Sequence, residues 1–126
     1  MQYIAVKDFE LQILADGSDV TTPNPTAVTI QTQPNDNGKI DGKAIYCGQV
    51  KARMAGLVVQ GHTQISPTVF TFILTAKYNK LDGELVLLET DTTEQQSIAC
   101  KLGNHIISPT VKLVVKKAGQ TTVKGD

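Results

Sequence analysis

The string Ile-Ser-Pro-Thr-Val occurs twice, at 65–69 and again at 107–111. Its prolines, Pro67 and Pro109, stand 42 positions apart, and another 42 positions back from Pro67 is Pro25, followed by Thr26. A fixed interval of this size is the signature of stacked or radially arranged units, none of which can bury its apolar face alone. The register extends past the prolines. Val28 to Ile40, Val69 to Leu81 and Val111 to Val123 are each 12 positions, and each later residue opens a turn, at Asp41-Gly42, Asp82-Gly83 and Lys124-Gly125. Gly61 to Pro67 also matches Gly103 to Pro109. The first unit departs from the pattern, with nine positions from Asp16 to Pro25, and the third runs out at Asp126.

Strand signals fill these units. Val28-Thr29-Ile30 and 111–115 alternate apolar and polar residues, as half-buried strands do. The denser runs at 69–74 (VFTFIL) and 85–88 (LVLL) predict strands covered on both faces. Asp16-Gly17, Asn37-Gly38, Asp41-Gly42 and Asp82-Gly83 carry residues that tolerate the positive φ of tight hairpin turns. Helix is confined to a weak capping box at 91–96, worth one or two turns. The expectation is one all-β domain over residues 1–126, of short strands and hairpins with a pseudo-threefold internal repeat.

Composition removes several function classes. Twelve basic and twelve acidic side chains cancel, leaving no field to hold a nucleic-acid backbone or an anionic membrane. Trp is absent and aromatic residues are 5% of the chain, too few for broad stacking platforms. No apolar run approaches the roughly 20 residues of a membrane span. The first residues, Met1 to Lys7, show neither a basic leader nor an apolar signal stretch, so synthesis and assembly in the cytoplasm are expected. The charges of the later units, such as Lys112, Lys116 and Glu94, read as a solvated face.

Three β-units in one chain suit one purpose especially well: presenting a matching edge to each of three identical partner chains. The stretches 39–46 (KIDGKAIY) and 80–87 (KLDGELVL), with the ending 117–125 (KAGQTTVKG), resemble the PAAR-like branch of the PAAR proteins. Those proteins form the tip of the central spike in contractile injection systems, including type VI secretion machines and phage-tail-like particles. The resemblance spans about residues 24 to 125, without the Pro-Ala-Ala-Arg tetrapeptide that names the family. It implies a small cone that caps a trimeric spike, one tip per trimer, and sharpens it for mechanical puncture of a target membrane. An effector cargo, an ion at the apex and export within the particle are implied with it.

Four potential metal ligands are present: Cys47, His62, Cys100 and His105. Together they make up one tetrahedral zinc set. Cys100 and His105 lie five positions apart around Gly103; His62 and His105 stand five and four residues ahead of Pro67 and Pro109. In a threefold cone such equivalent positions converge on the axis. A shared site would hold one zinc, or iron, per chain. The alternatives are buried thiols with two separate exposed histidines, and a Cys47–Cys100 disulfide.

Catalysis is not expected. Ser66 and Ser108 recur with the repeat, as do Asp41 and Asp82, and a repeated residue serves geometry more readily than chemistry. Gly42, Gly83 and Gly125 each stand alone after a strand, so no loop cradles phosphate. A metal-dependent enzyme would need an open coordination position, which four protein ligands would fill. The competing reading is a β-sandwich or barrel that binds a ligand or decorates a virion.

Overall fold

The computed structural model describes residues 1–20 and 26–126. Pro25, the first of the three spaced prolines, lies outside the described residues. Among those described the chain forms seventeen strands and no helix, so the domain is all-β. In chain order they are β1 (Gln2–Tyr3), β2 (Glu10–Ala15), β3 (Ser18–Asp19), β4 (Ala27–Ile30), β5 (Asn35–Ile40) and β6 (Lys43–Ile45). Then come β7 (Lys51–Ala55), β8 (Val58–Val59), β9 (His62–Gln64), β10 (Thr68–Thr71), β11 (Lys80–Leu81) and β12 (Glu84–Leu85). The last are β13 (Gln96–Ser97), β14 (Cys100–Leu102), β15 (His105–Ile107), β16 (Thr110–Lys117) and β17 (Lys124–Gly125). A strand thus starts directly after both Pro67 and Pro109.

Tight turns set the register. Asp16 and Gly17, Asp41 and Gly42, and Asp82 and Gly83 all take positive φ, between 50° and 81°, the geometry of two-residue type I′ hairpins. Gln60 and Gly61 make a fourth such turn, between β8 and β9, at φ 50° and 77°. Asn37-Gly38 is not a turn. It lies inside β5, where pairing jumps from Asn35↔Ile45 to Lys39↔Ala44. A Cβ on Gly38 would stand 2.8 Å from Leu81 Cδ2, so this glycine admits a neighbouring side chain.

Near the chain's beginning three segments close on one another. The Ala5 N–H donates to Leu87 O at 2.8 Å, the Leu87 N–H to Tyr46 O at 2.9 Å, and the Tyr46 N–H to Ala5 O at 3.1 Å. The cycle is complete, and its members stand 41 positions apart. A second set follows the same spacing: Lys7 N–H to Ala44 O at 2.9 Å, Gly48 N–H to Leu85 O at 2.9 Å, Glu89 N–H to Tyr3 O at 2.8 Å. Bridges Val6↔Ile45, Cys47↔Val86 and Leu88↔Ile4 run between the same segments. Beside them lie the paired ribbons β5–β6, β11–β12 and β1–β17. Two of these ribbons are joined by Asp-Gly; the third brings Gln2 opposite Gly125. Ile4, Val6, Ile40, Ala76, Val86 and Leu88 pack together here as the smaller of two apolar clusters.

Further along, longer strands build the main core. β16 lies between β2 and β13, and β7 between β4 and β10. A Phe72↔Thr93 bridge joins the two groups. Alternation works as read on β16, whose Val111, Leu113 and Val115 are fully buried. At 69–74 it overrides the two-faced expectation: Phe70 and Phe72 point inward, while Val69 and Ile73 remain 42% and 55% exposed. The segment 91–96 is extended, not helical. Thr92 bridges Val114 and Gln96 pairs with Val111, so strand pairing outweighs a weak capping signal.

One carboxylate is buried in this frame. Asp91 is 2% exposed; its Oδ2 accepts the Leu88 N–H at 2.9 Å and its Oδ1 accepts the Thr75 hydroxyl. Burial pushes its carboxyl above the usual carboxylate range, against the lowering effect of those bonds.

Two outcomes are expected. Phe70→Ala removes a fully buried ring and should cost about 3–5 kcal/mol in urea unfolding; a loss under about 1 kcal/mol would contradict this packing. Because the folded carboxyl of Asp91 takes up its proton at higher pH than the unfolded one, its ionised form penalises folding, and the penalty is relieved on acidification. The melting temperature of the wild type should therefore rise relative to Asp91→Asn between pH 7 and about pH 4.

Candidate functional site

The four residues singled out as metal ligands fall into two places. His62 opens β9 straight after the Gln60-Gly61 turn, and His105 opens β15 after Gly103, at φ 60°. β14 lies between β9 and β15, with Lys101 opposite Thr63 on one side and Leu102 opposite His105 on the other. This sheet brings the two rings together. His62 Nε2 and His105 Nδ1 are 2.8 Å apart, with ring centroids at 5.1 Å and planes inclined by 58°. His62 is buried and its Nδ1 lies 2.9 Å from Gln60 O, while His105 is exposed.

Gln64 holds this hairpin to the body. Its Nε2 donates to Met54 O at 3.2 Å and to Ser66 O at 2.7 Å, and its Oε1 accepts the Leu57 N–H at 3.2 Å. Nothing in the sequence marked Gln64, because a buried glutamine follows no spacing rule. Its position opposite Cys100 across β9 and β14 is set by pairing alone.

The cysteines go elsewhere. Cys100 is fully buried in the main core, and its thiol donates to Ile98 O at 3.6 Å. Cys47 packs against the smaller cluster, 3.8 Å from Asn35 Nδ2, beside a surface cavity that Asp82 and Glu84 also line. Both are free thiols, so the disulfide alternative is not formed. Burial pushes both thiols up; at Cys47 the Asn35 hydrogen bond opposes this and the charges of Glu84 and Asp82 add to it.

As placed, the four donors do not make one coordination sphere. Among the described residues no three side chains of His, Cys, Asp or Glu gather as a group able to hold a metal ion. Asp41 and Asp82 sit in their turns as geometry-setters. Asp41 Oδ2 accepts the Thr122 hydroxyl at 2.7 Å, and Asp82 Oδ2 accepts Asn35 and Asn37 amides at 2.8 and 2.7 Å. Those amides hold the Asp82 carboxyl below its ordinary range.

A second feature is a groove of about 570 Å³ where β2 and β4 face each other. Leu11, Ile13, Val28 and Ile30 line it, with Asp19 and Lys116 at its margin. Elsewhere β7 and β10 are paired directly, as are β13 and β16.

Compared with protein-family models, with curated proteins and with solved structures, the chain has no match in any of the three.

Thiol chemistry should separate the cysteines. In the native protein a thiol-specific reagent should modify half-buried Cys47 and leave Cys100 untouched until the chain is unfolded. Equal rates at both positions, or no modification at Cys47, would contradict this placement.

Proposed function

We propose that this chain is a non-enzymatic cap, a pseudo-threefold body that seats on the end of a true trimer. The observation that carries the reading is the closed cycle of Ala5, Tyr46 and Leu87 backbone bonds. Three segments of one polypeptide, equally spaced in sequence, meet one another as three separate chains meet about an axis. The second set of bonds and the three ribbons beside the cycle repeat that relation, and the spacing of Pro67 and Pro109 agrees with it to within one residue. A single chain so arranged offers three similar edges where one patch would serve only one partner chain.

The specific role favoured is the tip of the central spike in a contractile injection system, through the resemblance carried by 39–46, 80–87 and 117–125. Such a tip is assembled in the bacterial cytoplasm, rides out with the particle and reaches the target membrane by mechanical force. The Asp-Gly hairpins support a structural role over a catalytic one. Their carboxylates hold turns together with Thr122, Asn35 and Asn37, and are not directed into a common cleft.

Reconstitution with the spike trimer of the same particle tests the proposal. Native mass measurement should give one copy of this chain for three spike chains. An equimolar complex, or no complex at concentrations well above those in the assembled particle, would remove the reading.

A further inference from the structure

We infer that His62 and His105 form a tautomer-locked imidazole pair, in which a hydrogen bond, not a shared metal ion, ties the tips of two hairpins together. Gln60 sets the polarity. Its carbonyl can only accept, so at 2.9 Å the His62 Nδ1 must carry the proton. When the ring carries that proton alone, its lone pair lies at Nε2. That nitrogen faces His105 Nδ1 at 2.8 Å, so His105 Nδ1 must carry a proton and donate it. The chain of bonds runs one way, from His105 through His62 to the Gln60 carbonyl.

This polarity leaves no room for an ion between the rings. A metal held by the facing nitrogens needs both lone pairs bare and a bond of about 2.0–2.1 Å to each. Here one of the two carries hydrogen, and their separation is that of a hydrogen bond. The nearest thiol in the sheet, Cys100, is turned into the core and donates to Ile98 O. The one lone pair left over is His105 Nε2, on the exposed ring.

The pin has a mechanical role. β9 and β14 are registered through Gln64↔Cys100 and Thr63↔Lys101, and beyond them the Ile65 N–H donates to Ala99 O at 3.0 Å. The imidazole bond extends that contact to the outermost turn of each hairpin. Gln64 anchors the first hairpin at its base, and the histidine pair joins it to the second at its end.

Long-range proton–nitrogen correlation on the whole ¹⁵N-labelled protein at neutral pH reads the tautomers directly. Expected are a protonated Nδ1 and a bare Nε2 in both rings, a spectrum and melting temperature unchanged by dialysis against EDTA, and a response to one equivalent of zinc confined to His105 Nε2. His105→Gln should lower the melting temperature by a few degrees, and the same spectrum of the wild type decides the matter if that variant fails to fold. Bare facing nitrogens bearing an ion that survives dialysis would overturn the inference. So would tautomers other than Nδ1–H in either ring, or a large loss of thermal stability on chelation.

Discussion

Three backbone hydrogen bonds, each from one segment to the next and the last back to the first, hold this molecule in register. The bonds of Ala5, Tyr46 and Leu87 are individually ordinary, each contributing about 0.5–1.5 kcal/mol net. Their closure matters more than their strength. A linear ladder can fray from its end, but a cycle has no end, and loosening any member leaves donors and acceptors of the other two unpaired in a buried place. Ala5 and Leu87 have no measurable exposure, so water cannot substitute. The two apolar clusters meet at this junction: Ala5, Tyr46 and Leu87 belong to the larger, and their chain neighbours Ile4, Val6, Val86 and Leu88 to the smaller.

The parts of this arrangement differ in how visible they are in the sequence. Turns are the clearest. Asp41-Gly42 and Asp82-Gly83 announce positive φ because few other residues accept it, and both form the hairpins expected. Gln60-Gly61 makes the same turn with no such warning at its first position, and Asn37-Gly38 carries the warning without the turn. There the glycine serves side-chain proximity to Leu81. Strand alternation is likewise legible on β4 and β16. It misleads at 91–96, where an acidic, polar stretch reads as a helix start but is held extended between β10 and β16. Pairing across long sequence separations decided that segment, and no local signal reports it.

The cycle itself is nearly invisible in residue types. Alanine, tyrosine and leucine share no side-chain property that would align them, since the bonds use only main-chain atoms. The interval was detectable through prolines and glycines, which constrain the backbone directly. The candidate ligands show the same division. His62 and His105 each open a strand directly after a turn, and the fold brings them into contact. Cys47 and Cys100 join them in the sequence by ligand chemistry and loose spacing, with no repeat position of their own. Burial separates them, because an unligated thiol behaves as a small apolar group and packs wherever a core has space for it.

The ribbon formed by β1 and β17 has a consequence for synthesis. β1 finds its ladder partner only when Lys124 and Gly125 are present, so Gln2 and Tyr3 must wait for residues far along the sequence. Ala5 and Lys7 can meet Tyr46 and Ala44 earlier, but the Ala5 amide and the Tyr46 carbonyl wait for Leu87, an edge that a second nascent copy could use. Slow maturation with an early need for shielding, by a chaperone or by prompt docking, follows from pairing across so long a sequence separation.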